Sequence, residues 1–473
     1  MTAKPEPRLT LFTTCKPFEG ETAAMQFNAL RSWHELQKSR KLTFNILLLG
    51  KDKGVIDAAR SIGATVISHI NTTPAGIPLV SSLFETAKQH SSSEYLAYIN
   101  SDIILRTDFI DTLASVLQSE IKQDFLLTAR RINIPLNTPL VNQSQHWRSD
   151  LDSIVDQSGS WDGPNAVDLF LFNRTLFDCI PDFAIGRMQW DNWLIWKARE
   201  SNALVIDASQ DFALLHPIHG YAGHARGWQD ITQGDEAGMN RNLAQGHILG
   251  LEQGCTHLLK QRELVENNAE NQRTLATHCT PSPEKEFTAY LRQQSVQPGS
   301  TPSEAETEPD KAIDVFRTLL WRNERYLPQD ISTVTDHVEF SRAIESAVKH
   351  LEEGRISSAM DTIQDTLAAT FLDRIRQSQA TCRPIIIWGT GQMAERLVIF
   401  LKRNHIEITG FADSNADKAG RLFMSLPVTG SPIDQVSKKP GDRPFVIIGS
   451  MFVNEIQQAL HNQGLQYNTD YCY

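Results

Sequence analysis

The sequence predicts an α/β protein in which two sheet-containing domains are joined by helices. Three observations predict it. Residues 9 to 99 alternate short apolar runs with segments that carry apolar residues at helical spacing, the pattern of βαβ units around a parallel sheet. From Arg383 onward, PIIIWGTGQMAERLVIFLKR reads as strand, Gly-rich turn and helix. Between these regions, QSVQPGSTPSEAETEPD is rich in Pro, Ser, Thr and Glu, a composition that cannot bury enough apolar surface to order itself.

The elements follow in chain order. Leu9 to Thr14 is β-prone, and Thr22 to Ser39 has Ala, Leu and Trp at helical spacing. Thr43 to Leu49 is a buried strand, Gly54 to Ile62 a helix, Ala64 to Ile67 a strand, Leu79 to His90 a helix, and Tyr95 to Ile99 the next strand. Right-handed crossovers would make the sheet parallel. Phe125 to Ala129 and Val167 to Phe172 read as strands, and the polar stretch Asn137 to Gly163 between them reads as a long loop or lid. Val205 to Asp207 and Phe212 to His216 are short strands, and Thr256 to Ala276 reads as a polar surface helix. Farther on, Phe340, Ile344, Val348 and Leu351, then Ile356, Met360, Ile363 and Leu367, predict a helical hairpin broken at Gly354. Thr409 to Asp413 and Phe445 to Gly449 are strands, and Val453 to Asn462 is a closing helix. The domain boundaries are then 1–293 for the first sheet domain, 294–311 for a disordered linker, 312–380 for the helical connector and 381–473 for the last domain.

Composition excludes several classes. The chain of 473 residues has a net charge of −11 and 41% apolar residues, a balance unlike that of a general nucleic-acid binder. Its six cysteines are scattered without a Cys-x-x-Cys pair, so zinc ribbons and redox motifs are not expected and reduced thiols are. No signal-peptide core and no run long enough to span a membrane is legible, which predicts a cytoplasmic protein. Peripheral membrane contact and homo-oligomerisation stay open.

The chemistry concentrates at YINSDIIL. A buried strand ends at Ile99, and ligands of such sheets bind at the carboxyl ends of strands. Asn100 and Asp102 thus sit where a carboxylate can hold Mg²⁺ or Mn²⁺, and such an ion neutralises a diphosphate.

Several pieces in order, LTLFTTCKPF, Gln26 to Trp33, ILLLGKDKG, GIPLVSSLF, YINSDIIL, AIGRMQWDNWLIWKAR and LLHPIHGYAGH, give residues 9–225 a resemblance to bacterial GT-A fold glycosyltransferases similar to family 2. The resemblance implies a nucleotide-sugar donor, an acceptor hydroxyl on a glycan or other molecule, a divalent metal and inverting transfer in glycan or surface polysaccharide biosynthesis. It places Thr13 and Thr14 at the base or ribose, Arg31 and Lys51 near phosphate or uracil, and Asp52 at ribose or base. Asn100 and Asp102 fall on the family's Asp-x-Asp motif with Asn in place of the first acid, so the site has one charge fewer. Asp102 is then the metal ligand, with Asn100 on ribose or a metal-bound water. Asp191 is the catalytic base: Trp190, Trp193 and Trp196 flank it, and a partly desolvated carboxylate is a better base. Asp191 would also serve as a helix N-cap. Arg187 would contact donor phosphate or acceptor, Asp168 donor sugar hydroxyls, and His219, near His216 and His224, would be a further metal ligand.

In the last domain, Gly389, Gly391 and Ala394 form G-x-G-x-x-A between strand and helix, and Asp413 ends the second strand where an acid can accept ribose hydroxyls. The domain resembles small Rossmann-like nucleotide-binding modules attached to bacterial sugar-modifying enzymes, which implies a nucleotide or NAD. Two alternatives follow: an NAD-dependent or nucleotide-sugar-modifying enzyme centred on this domain, or a silent sugar- or nucleotide-binding scaffold.

Overall fold

A computed structural model describes residues 9–39, 41–119, 121–219, 231–232, 234–295, 309–329, 337–430, 443–450 and 452–473. The chain divides into two compact units, Met1–Ile218 with Gly234–Glu286, and His219–Gln233 with Phe287–Tyr473.

The first unit is α/β. It alternates β1 (Leu9–Thr14), α1 (Gly20–Gln37), β2 (Phe44–Leu49), α2 (Val55–Ile62), β3 (Thr65–Ile67), α3 (Val80–Gln89), β4 (Tyr95–Ile99) and α4 (Thr107–Gln118). Then come β5 (Phe125–Thr128), β6 (Arg131–Ile134), α5 (Trp147–Ser158), β7 (Ser160–Trp161), β8 (Leu169–Asn173), α6 (Trp190–Glu200), β9 (Leu204–Asp207) and β10 (Leu214–Pro217). After these lie α7 (Asp235–Ala244), α8 (Leu251–Gly254), β11 (His257–Lys260), β12 (Glu263–Glu266) and α9 (Ala269–His278). The main sheet has nine strands in the order β12-β11-β9-β5-β8-β4-β1-β2-β3, and β10-β6-β7 form a small second sheet.

Strand β1 lies between β2 and β4 and is parallel to both. Successive residues of these strands point to opposite faces, so each feeds a separate core. Leu11, Ile46, Leu48 and Ala97 pack with Trp33 and Phe109 on one side. Phe12, Leu47, Leu96 and Tyr98 pack with Phe84 and Phe172 on the other. The ring of Phe12 meets those of Phe84 and Tyr98 edge-on at 5.1 and 5.6 Å.

Three expectations are corrected. The sheet is not wholly parallel: β8 runs antiparallel to β4 and β5. A continuous apolar run such as LFLF is buried on both faces whichever way it runs, so it carries no sign of direction. The stretch 137–163 is not a bare loop, because it contains α5 and β7. Only Trp147 and Leu151, one turn apart, are buried along α5, and they pack with Ile104, Ile132 and Leu215. Residues 256–276 are not one helix either, because β11 and β12 form an antiparallel hairpin ahead of α9. Its turn residues Gln261 and Arg262 both have positive φ without being glycine. The Asp211 carboxylate accepts both their backbone N–H groups, at 2.7 and 2.6 Å, a tertiary contact that no local pattern announces.

α10 (Pro283–Ser295) and α11 (Pro309–Arg322) reach into both ends of the expected 294–311 linker, and residues 296–308 lie outside the described residues. The expected hairpin broken at Gly354 is present as α12 (His337–Glu352) and α13 (Ile356–Leu367), and a third helix, α14 (Ala369–Ala380), follows it. Beyond them lie β13 (Ile385–Trp388), α15 (Gln392–Arg403), β14 (Gly410–Ala412), β15 (Leu422–Phe423), β16 (Leu426–Thr429), β17 (Phe445–Ile448), α16 (Val453–Asn462) and β18 (Tyr471–Cys472). Their sheet has the order β15-β16-β14-β13-β17-β18. All its pairs are parallel except β15 with β16. Among the described residues no helix is long and apolar enough to cross a membrane.

Gly389 leaves β13 with φ +123°, and a Cβ there would sit 2.7 Å from the Gly449 carbonyl oxygen. Gly391 has nothing within 4 Å of its Cβ position. Gly389→Ala should therefore destabilise this unit by about 2 kcal/mol or more, and Gly391→Ala by less than about 1 kcal/mol, as read by urea denaturation.

Candidate active site

The parallel pairing of β1 with β4 delivers two segments to one rim of the main sheet: Cys15 and Lys16 after β1, and Asn100 to Asp102 after β4. Gln26, buried on α1, staples them together. Its Oε1 accepts from the Lys16 backbone N–H at 2.8 Å and from Ser101 Oγ at 3.0 Å, and its Nε2 donates to the Lys16 carbonyl at 3.0 Å. The turn closes with Ile103 N–H on the Asn100 carbonyl. Trp33 Nε1 donates to the Ile103 carbonyl, and Ser32 Oγ accepts from Leu105 N–H.

Ile104 then pairs with Leu215 of β10 through two backbone hydrogen bonds, 2.9 and 3.2 Å long. That pairing sets Asp102 beside the next residue of β10: Asp102 Oδ2 lies 3.9 Å from His216 Nε2. The other ring nitrogen of His216, Nδ1, is 3.1 Å from Asn133 Oδ1. One ligand atom each from Asp102, His216 and His219 lie within 4.8 Å of one another. One carboxylate and two imidazoles at that spacing are a donor set that fits a divalent cation.

Asn100 does not face outward from this cluster. Tyr98 Oη donates to its Oδ1 at 3.0 Å, and its Nδ2 donates to Asp168 Oδ1 at 2.6 Å. Asp168 is itself buried, and Arg131 bridges it to Asp162: Nη1 is 3.0 Å from Asp168 Oδ2, and Nη2 is 2.7 Å from Asp162 Oδ2. Burial works against the Arg131 charge, but the two carboxylates outweigh it and hold the guanidinium firmly protonated.

At the neighbouring strand ends, Thr13 is wholly buried, with Oγ1 on the Thr14 carbonyl at 3.3 Å. Thr14 Oγ1 is buried with no hydrogen-bond partner among the described residues. It faces Gly50, whose φ is +127°: a Cβ there would lie 3.5 Å from Thr14 Oγ1 and 3.7 Å from Asp52 Oδ2. Thr14, Gly50 and Asp52 thus converge on one recess, while Lys51 is exposed. The Arg31 guanidinium lies over the Phe27 ring of its own helix, 5.1 Å from the centroid.

Asp191 is the second residue of α6 and accepts from Asn192 N–H at 2.9 Å. The N-cap position is Gln189, not Asp191, with a left-handed φ of +85°. The loop before it is held by buried Asn240, whose Oδ1 accepts from Ala184 N–H and whose Nδ2 donates to the Ala184 and Met188 carbonyls. Asp191 keeps part of its surface open, yet desolvation pushes its carboxyl up to about 6, with Asp168 adding to the rise and Asn192 N–H opposing it. Asp168 responds to the charges of Arg131 and Asp102, and Asp191 to those of Asp168 and Arg131, so Asp168 and Arg131 lie in electrostatic reach of Asp191. Trp190 and Trp193 are core residues, and Trp190 meets Tyr98 at 5.5 Å and Phe170 at 5.4 Å. Trp196 stacks flat on His247.

Sequence reasoning missed Lys16, Arg131, Asn133, Asp162 and the weight of His216. Lys16 is exposed, yet partial desolvation lowers its ammonium from its ordinary value, with Asp102 opposing and Arg187 adding to the fall. Asp102 and Arg187 thus both lie in electrostatic reach of Lys16. The available signal was polar residues at alternate positions of otherwise apolar strands, as in RINI and LLHP. His224 lies outside the described residues.

In the second unit, Ala394 is buried on α15, and Gly389 and Gly391 form the turn before it. Asp413 Oδ2 accepts from Thr390 Oγ1 and, at 2.9 Å, from Lys418 Nζ. Although desolvation opposes it, these contacts and the Asn415 N–H hold the carboxyl below its ordinary value. The atom expected to receive ribose hydroxyls is engaged within the protein.

No protein-family model matches this chain, and no curated protein sequence matches it. Among solved structures, glucosyl-3-phosphoglycerate synthase from Mycobacterium tuberculosis, in complex with Mg²⁺ and uridine-diphosphate, aligns over 45% of this chain and 72% of its own, with 13% identity and a TM-score of 0.29. A second structure of that M. tuberculosis synthase covers 51% of this chain and 81% of its own at 14% identity and a TM-score of 0.32. A third, with Mn²⁺, uridine-diphosphate-glucose and phosphoglyceric acid, covers 45% and 72% at 13% identity and a TM-score of 0.28. A likeness this slight leaves the fold of this chain to be read from its own topology.

The raised carboxyl of Asp191 has a consequence for stability. Folding lifts it from 3.8 to about 6, so the native state binds the proton more tightly than the unfolded chain does. Stability contributed by the protonated form is then lost as pH rises from about 4 to about 6. Asp191→Asn removes that loss. The variant should be more stable than the parent at pH 7.5, by on the order of 3 kcal/mol from the size of the shift, and equal to it near pH 4, as measured by denaturant melts at both pH values.

Proposed function

We propose that this protein transfers a sugar from a nucleotide-sugar donor to an acceptor hydroxyl with inversion, assisted by a divalent cation. The observation that carries this reading is the placement of Asp102 beside His216 and His219, with Asp168 in electrostatic reach both of Asp102 and of the elevated carboxyl of Asp191. A metal-ligating acid and a carboxylate poised near neutrality are the two parts an in-line displacement at an anomeric carbon needs.

The residues divide the work. Thr14 Oγ1 and Asp52 Oδ2, converging over Gly50, suit the ribose or base of the donor. Lys16 and Arg187 bring positive charge to the side of Asp102 where a diphosphate would lie, and Arg is fitted to bidentate phosphate contact. A divalent cation held by Asp102, His216 and His219 would neutralise the charge of the departing diphosphate. Asp191 takes the proton from the acceptor hydroxyl as that oxygen attacks the anomeric carbon. Its burial keeps it basic enough for the task, whereas an ordinary carboxylate would be a weaker base. Asp168 and Arg131 act behind this surface: they hold Asn100 and the end of β4 in place.

The direct test is a donor screen with UDP-, GDP-, CMP- and dTDP-sugars, with and without Mn²⁺, read first as a thermal shift and then as sugar release. One donor should stabilise the protein in a metal-dependent manner. Asp102→Ala should remove the metal dependence of donor binding. Asp191→Asn should bind donor as the parent does but lower turnover at least 100-fold. If no nucleotide sugar shifts the melting temperature under any metal condition, the reading fails.

Two further outcomes follow from the site's chemistry. The parental rate should rise with pH through about 6, since Asp191 must be deprotonated to act, and this limb should be absent from the residual activity of Asp191→Asn. With one carboxylate and two imidazoles as donors, Mn²⁺ should support activity better than Mg²⁺, which prefers oxygen ligands. A titration of rate against each metal at fixed donor decides this.

A further inference from the structure

Asn133 is the least expected polar residue near the rim. It lies in β6, directly opposite His216 of β10 in the parallel register, and is fully buried. Its Oδ1 lies 3.1 Å from His216 Nδ1. Its Nδ2 is buried with no hydrogen-bond partner among the described residues. A buried amide nitrogen left unpaired is unfavourable, so an apolar residue of similar shape would serve a purely structural role better. The amide is in place for what its oxygen does.

An amide oxygen can only accept a hydrogen bond. In its neutral form His216 must therefore carry its proton on Nδ1 to satisfy it, which leaves Nε2 unprotonated. Nε2 is the nitrogen 3.9 Å from Asp102 Oδ2. An unprotonated imidazole nitrogen is what a cation needs, and a partner on the other nitrogen both orients the ring and makes it a better donor. We propose that Asn133 is a positioning residue of the metal site: it selects the His216 tautomer and aims Nε2 at the ion held with Asp102. The inference rests on the reading of Asp102 and His216 as metal ligands. It goes beyond that reading by assigning the choice of ligand atom to a residue that touches neither ion nor substrate.

The experiment measures the binding of Mn²⁺ alone to the full chain by the electron paramagnetic resonance of free Mn²⁺. The proteins are the parent, Asn133→Leu, Asn133→Asp, His216→Ala and Asp102→Ala. Asn133→Leu should weaken Mn²⁺ binding by about 10- to 100-fold. Its metal-free melting temperature should fall little, because the loss of the acceptor for His216 Nδ1 is offset by removal of the unpaired Nδ2. Asn133→Asp keeps an acceptor at the same place and should bind Mn²⁺ at least as tightly as the parent. If Asn133→Leu does not fold, Asn133→Ser is measured in its place with the same expectation. Two results overturn the proposal while leaving the metal site intact: parental Mn²⁺ affinity in Asn133→Leu when His216→Ala and Asp102→Ala have lost it, or equal weakening in Asn133→Leu and Asn133→Asp. Parental affinity in His216→Ala and Asp102→Ala overturns the metal site itself, and this inference with it.

Discussion

The candidate site depends on one short backbone pairing. Ile104 and Leu215 exchange hydrogen bonds as a two-residue bridge, and through it the turn after β4 is bound to a strand of the second, smaller sheet. Gln26, Trp33 and Ser32 hold the turn itself, but without that bridge nothing would set Asp102 beside His216. The bridge is protected from water by its own side chains: Ile104 and Leu215 are fully buried, in the small core that Trp147 and Leu151 of α5 complete. A polar-looking segment far along the chain thus sustains the geometry of an acid more than forty positions earlier.

Behind the rim runs a buried polar chain, Tyr98 to Asn100 to Asp168 to Arg131 to Asp162. Charges in such a place are stable only when paired and fully hydrogen-bonded. Arg131 serves two carboxylates at once, and Asn100 links them to the end of β4. This explains why an Asn at this position is compatible with the fold. Its amide both accepts from Tyr98 and donates to Asp168, which an ionised carboxylate could not do. The same chain sets the electrostatic background of Asp191, whose carboxyl feels Asp168 and Arg131 as well as its own burial.

Much of this was legible in the sequence, and the failures have physical reasons. Strands β2 and β4 and helix α16 were readable because a fully buried strand and an amphipathic helix each leave a periodic trace. The direction of β8 was not, because an apolar run buried on both faces looks the same either way. The β11–β12 hairpin was hidden because its turn lacks Gly or Asn and is capped by a distant carboxylate, that of Asp211. The Trp residues around Asp191 were read as the neighbours that desolvate it. Large aromatic side chains bury more surface in a core than they would at a rim, and Trp190 and Trp193 lie in the core.

The sequence by itself determined the alternation of strands and helices, the separation of an N-terminal and a C-terminal sheet, and the presence of an acid at the end of a central strand. These are local matters of period and composition, carried by neighbouring residues. Only the tertiary structure decided which groups meet that acid: His216 from another sheet, with Asn133 behind it, Gln26 stapling the strand ends, and Arg131 between two carboxylates. Such partners lie tens to hundreds of residues apart, and their meeting follows from strand register and packing, which no local window of sequence encodes.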